Sequence, residues 1–208
     1  VEYISSKKKP VILSTGMNDI NSIHLAVDIL RKYSIPFALM HCTSMYPTPY
    51  DNVDLNALTQ LHEIFPDAVL GLSDHSVGCY TAFASIALGA RIIEKHFVSD
   101  QEWSGPDVPI SLTPSQLEEL IRGTDAIYRS LGGQKRIQAG EEATIRFAYA
   151  SVVSTRTIRK GELLSENNVW VKRPGTGEIR AGHYKKTIGM KARRDIESNV
   201  QIKWSDLG

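Results

Sequence analysis

"AVLGLSDHSVGCY", Ala68–Tyr80, and "ARIIEKHFVSD", Ala90–Asp100, share one pattern: a short apolar run, then a polar step that ends in a histidine. Short apolar runs without polar alternation mark strands buried on both faces, as in a parallel sheet. Between them "GCYTAFASIALGA" reads as one helix. Working outward, "PVILSTG" precedes the helical "INSIHLAVDILRKYS", and "PFALMHCTS" precedes "NVDLNALTQLHEIF". "RIIEKHF" is followed by "TPSQLEELIRGTDAIYRSL". Four strand-then-helix units follow, and with them a parallel α/β architecture over residues 1–132.

The local signals agree. Asn21 or Ser22 is expected to open the first long helix, and Thr113 with Pro114 the last, in the N-cap then N1 arrangement. Gly132 and Gly133 end that helix. From 133 to 150, "GQKRIQAGEEATIRFAYA" has mixed charge and no strong period, so it reads as a linker with room for one helical turn. Residues 151–208 hold short segments such as "SVVSTRTI" and "SNVQIKWSDL" between turn signals, a small module with little helix.

Composition narrows the function classes. The 208 residues are 42% apolar, with 24 Lys and Arg against 23 Asp and Glu, a net charge of +1. No overall field points to nucleic acid or an anionic membrane, and no apolar run is long enough to span a bilayer. Cys42 and Cys79 lack the spacing of a disulfide framework or a zinc knuckle, so both read as packing residues in a reducing, cytoplasmic setting.

Residues at the C-terminal ends of parallel strands converge on one face, where such folds place their sites. That face is expected to hold Ser14 and Thr15, the segment His41–Tyr46, then Ser73, Asp74 and His75, and finally His96. His75 and His96 end neighbouring strands, close enough for one divalent ion to bind both rings. Spacing alone does not separate that reading from two polar residues that happen to end strands.

"HCTSMYPTPY", "GLSDHS", "EKHF" with "GPDVPISLTP", and "KRPGTGEI" together resemble the sialic acid synthase family, in the same order and over the whole chain. The resemblance implies a fold: the C-terminal half of a (β/α)8 TIM barrel followed by a small, mainly-β SAF (antifreeze-like) domain. It also implies a reaction, condensation of phosphoenolpyruvate with N-acetylmannosamine or a related amino sugar, releasing phosphate. By resemblance His75 and His96 hold a divalent metal, Mn2+ before Mg2+. Ser14, Ser44 and Ser73 match positions that touch phosphoenolpyruvate, and Tyr46 and Asp107 match positions lining the sugar pocket. Arg173 matches an arginine that the family sends into the neighbouring subunit's site, which implies a homodimer. Pro174, Gly175 and Gly177 shape its loop. Asp74 is a candidate for orienting a metal histidine. Glu94 alternates to the same side as His96 and stays outside the catalytic set.

Complete members of that family begin with about four more strand-helix units, which supply lysines for phosphoenolpyruvate. Against that pattern the chain reads as a fragment, inactive alone. Lys7–Lys9 precede their strand and read as a solvated charge run rather than a phosphate site. A carbohydrate-binding or structural module that keeps the fold is the alternative; it needs no such cluster at the strand ends. A Schiff-base aldolase needs a lysine facing the barrel interior, and Lys95, adjacent to His96, faces the other way by the period of two.

Overall fold

Four strands, β1 (Val11–Ser14), β2 (Phe37–Cys42), β3 (Val69–Asp74) and β4 (Ile92–Lys95), make a parallel sheet in the order β1-β2-β3-β4 in the computed structural model, which describes residues 1–208. The helices of this unit are α1 (Glu2–Ser5), α2 (Ile20–Lys32), α3 (Ala57–Ile64), α4 (Tyr80–Ala87) and α5 (Pro114–Ser130). Alternation along each strand sorts the side chains between two faces. Leu13, Phe37, Leu39, Leu70 and Ile93 join Ile23, Val27 and Leu30 of α2 and Leu58 and Leu61 of α3 in one core. Full burial of each such side chain stabilises the fold by about 1.5–3 kcal/mol. Ala82, Leu112 and Leu120 extend the same helical layer beside β4.

The opposite face is the inner one of a curled half-barrel. It carries Ile12, Ser14, Met40, Gly71, Ser73 and Glu94, in the register Ser14↔Met40, Met40↔Gly71, Ser73↔Glu94. Sequential strand order with the packed helices on one face is the arrangement that lets a sheet curl toward closure. The parallel α/β expectation therefore holds.

Caps set the helix starts. Asp19, not Asn21 or Ser22, opens α2, because its carboxylate accepts from Ser22 N at 2.8 Å and from Ser22 Oγ at 2.7 Å. Those bonds also hold the Asp19 carboxyl below the usual aspartate range. Thr113 opens α5 in a capping box with Gln116, followed by Pro114.

The chain divides into two compact units, Val1–Gly133 and Gln134–Gly208. In the second, the stretch from 133 to 150 holds a 3-10 turn, Ala139–Glu141, and a two-turn helix, α6 (Glu142–Ala148). An antiparallel pair follows, β5 (Ser151–Ser154) with β6 (Val169–Lys172), and then the short α7 (Tyr184–Thr187). The rest is tied by single bridges such as Val153↔Gln201, Ile158↔Ile196 and Ala192↔Leu207. Val152, Ile158, Leu164, Val169, Ile179, Ile196 and Ile202 form its core. No helix in the chain is long and apolar enough to cross a membrane.

Candidate metal and substrate site

The β3–β4 ladder ends at the pair Asp74↔Lys95, so the next residues, His75 and His96, leave the sheet side by side. Their ring centroids lie 5.2 Å apart at 65°. His75 is buried, with Nδ1 3.0 Å from the carbonyl oxygen of Thr43. A carbonyl only accepts, so Nδ1 carries the proton, and the tautomer of the neutral ring that this bond selects has its lone pair on Nε2. A histidine that ligates through Nε2 needs that tautomer, fixed by a hydrogen bond from its other nitrogen.

His96 is less buried, and its Nδ1 lies 3.6 Å from Asp107 Oδ2. Its backbone is held from outside β4: Leu112 N donates to His96 O at 2.8 Å. The Tyr46 ring packs on His75 at a centroid distance of 4.3 Å and stands edge-on to His96 at 6.0 Å. Three aromatic groups thus pack together at the ends of β2, β3 and β4.

Below the rings, on the inner face, Ser73 Oγ donates to Glu94 Oε1 at 2.6 Å. Ser73, His75, Glu94, Lys95 and His96 line one small cavity of about 200 Å3. Ser44 lies one step away, its Oγ 3.8 Å from Cys42 Sγ, which is 3.9 Å from His75 Nδ1. Gly16 makes this approach feasible, because a Cβ there would collide with the Ser44 hydroxyl and lie 2.9 Å from Cys42 Sγ. Ser14 is exposed at the end of β1, opposite Met40.

The structure therefore brings together Tyr46, Ser73, His75, His96 and Asp107, with Ser44 adjoining. Arg173 belongs to the second unit, exposed on the loop that leaves β6. That loop is built around Ser151, whose Oγ donates to Pro174 O at 3.0 Å and accepts from Gly177 N at 2.8 Å. A Cβ on Gly177 would lie 2.7 Å from Ser151 Cβ, so glycine is required for the contact.

Three residues depart from the sequence reading. His41 faces the helices rather than the strand-end cluster, and its Nε2 lies 2.6 Å from Val53 O, which makes it a structural tie. Asp74 also faces the helices: it accepts from Thr81 Oγ1 at 2.6 Å, Ser76 N at 2.8 Å and Lys95 Nζ at 3.0 Å, and hydrogen-bonds to neither imidazole. Glu94, left outside the catalytic set, shares the cavity with both histidines; the period of two that sets it on the side of His96 was the signal. Cys79 is a packing residue, its thiol pushed up by burial and so poorly suited to nucleophilic chemistry.

The donor set fits a metal of limited protein coordination. No three His, Cys, Asp or Glu side chains gather for an all-protein site. Two neutral imidazole nitrogens leave the other positions to oxygen ligands from water or substrate, as a Lewis-acid ion requires.

Comparison with known proteins adds the lineage. N,N'-diacetyllegionaminic acid synthase of Campylobacter jejuni is 37% identical over 207 residues, covering 98% of this chain and 61% of that protein. Human N-acetylneuraminate-9-phosphate synthase is 31% identical over 173 residues, 83% of this chain and 48% of its own. The crystal structure of spore coat polysaccharide biosynthesis protein SpsE from Bacillus subtilis superposes with a TM-score of 0.60 at 32% identity, covering all of this chain and 63% of that one. The chain spans about three-fifths of the length of curated relatives that it matches. Residues 149–208 match the SAF domain. Residues 1–136 match the NeuB family, to which the chain belongs.

Proposed function

We propose that this chain supplies the metal-binding and sugar-binding side of a synthase that condenses phosphoenolpyruvate with an N-acetylated amino sugar and one water to give a nonulosonic acid and phosphate. In this reading residues 1–132 are half of a TIM barrel. One observation carries it: two imidazoles 5.2 Å apart, one with its Nε2 lone pair kept free, above a Ser73–Glu94 pair in a single cavity. His75 and His96 would hold a divalent ion, Mn2+ or Mg2+. That ion would polarise the sugar aldehyde as carbon 3 of the enol attacks.

The chain's own groups orient the reactants. Tyr46 walls the imidazole pair and offers its face to the sugar. Asp107, beside His96, accepts from sugar hydroxyls, and Glu94 is placed to hold a proton inside the cavity. Ser44 donates a hydrogen bond toward the phosphoenolpyruvate oxygens, and Ser73 does so once its hydroxyl turns away from Glu94, with Ser14 at the far edge of the same strand ends. Arg173 brings a planar multi-donor head to the sugar from the partner subunit of a homodimer. The sugar-acid syntheses named for the relatives support the substrate class. The test is phosphate release from phosphoenolpyruvate with N-acetylmannosamine and Mn2+, by the protein containing this chain. A rate unchanged after metal stripping refutes the reading.

A further inference from the structure

Asp74 and Lys95 form an ion pair whose side chains are only 1% and 3% exposed, the one pair in the chain with both partners buried. Such pairs add little net stability, because desolvation offsets the attraction, so stability alone does not account for it. Its position does more. It occupies the last register of the β3–β4 ladder, and each partner immediately precedes one of the two histidines.

We propose that the Asp74–Lys95 pair is a positioning clamp that sets the two imidazoles relative to each other. Lys95 Nζ reaches across from β4 to Asp74 Oδ2 and also donates to the carbonyl of Ser76, so one ammonium grips the chain on both sides of His75. Asp74 Oδ1 accepts from Ser76 N at 2.8 Å and closes the turn around His75, while Thr48 N donates to His75 O at 3.0 Å. Ser76 and Thr81 are buried and bonded to each other at 2.7 Å, and Thr81 also donates to Asp74, so no polar atom of the cluster is left unpaired. The backbone at His75 is thereby fixed against β4, and its ring is held where Nδ1 meets Thr43 O. Beyond Asp74↔Lys95 the strand ladder offers no further tie; the clamp replaces it. Asp74 and Lys95 touch no reacting atom and act through the backbone. The consequence for a metal rests on the two-histidine reading above.

The test uses Asp74→Asn/Lys95→Met, which removes both charges together and so leaves no unpaired ion, and Asp74→Asn/Lys95→Gln, which retains a neutral hydrogen-bonding pair. Two readouts are taken on the protein containing this chain: the tautomer of His75 by long-range 1H–15N NMR, assigned against His75→Gln, and Mn2+ affinity by titration. In the Met double variant His75 is expected to lose its Nδ1–H form and Mn2+ affinity to fall at least ~10-fold, the range seen when partners behind metal ligands are removed. The Gln double variant is expected to lose less of both. Either folded double variant with the wild-type His75 spectrum and wild-type Mn2+ affinity overturns the clamp. If the tautomer shifts while even the unmodified protein binds no Mn2+, the metal reading fails and the clamp stands.

Discussion

The first unit and the second hold their candidate groups by different means. In the first, Ser73, His75, Glu94 and His96 sit on or just past paired strands, and their neighbours are dictated by register. In the second, Arg173 sits on a loop shaped by one serine hydroxyl and a close-fitting glycine. Register is set by the hydrophobic pattern over a whole strand, so a site built on it survives single side-chain losses. A loop site depends on a few contacts, and its cost of failure is local.

The largest effect should come from the strand-end pair. His75→Ala or His96→Ala is expected to lower condensation on the order of 10³-fold, because the charge that stabilises the developing alkoxide goes with the metal. Circular dichroism melting should move little, since neither ring belongs to the packed apolar core. A large melting shift with activity retained would reverse the roles assigned to these residues.

Next in size is a core deletion in the smaller unit. Ile179 is fully buried, and its carbonyl accepts from Val152 N at 2.8 Å. Ile179→Ala should cost about 2–5 kcal/mol in denaturant unfolding, by lost burial plus cavity. A cost under about 1 kcal/mol would mean that the unit's bridges, not its core, hold it together.

Arg173→Ala should follow, with kcat/KM for the sugar down about 10- to 100-fold, the value of one or two charge-assisted hydrogen bonds, and stability unchanged within about 0.5 kcal/mol. Mixed with a His75→Ala partner under subunit-exchange conditions, it should recover activity, because one of the two sites then has both groups. No recovery under proven exchange excludes action across subunits.

The same contrast explains what could be read from the sequence. β1 to β4 were legible because each is an apolar run between turn signals, and the period of two placed Glu94 with His96 and Lys95 opposite. Periodicity failed for His41: its strand is buried along its length, so polarity alone suggested an open position that the register denies. It could not show Asp74 meeting Lys95, since that pairing depends on which residues of two strands align. In the second unit even the strands were obscure. Only β5 and β6 are regular, and α6 lies in a stretch of mixed charge without an apolar stripe. Arg173, like the other residues whose suggested roles came from family motifs, was not found by spacing.

The smallest effect is electrostatic and also separates the units. Glu162, in the second unit, accepts from Arg156 Nη2 at 2.6 Å, from the backbone N of Arg159 at 3.0 Å and from Asn168 Nδ2 at 3.2 Å. Led by the Arg156 bond, these contacts hold its carboxyl down at about 2, against 4.5 for an ordinary glutamate. A carboxyl lowered in the folded state adds stability that is fully present above its unfolded value and is lost as pH falls through the folded one. The window is therefore about pH 4.5 down to about 2. Glu162→Gln removes the titration but keeps the shape, so the stability gap between wild type and variant should be constant above about pH 5.5 and shrink as the solution is acidified. Tryptophan fluorescence in urea at stepped pH reads it, because Trp170 and Trp204 lie in this unit. A gap that does not change with pH would mean the carboxylate network is screened by solvent and that the loop from Arg156 to Asn168 is held by its neutral hydrogen bonds, Ser165 N to Asn168 Oδ1 and Asn168 Nδ2 to Leu163 O, instead.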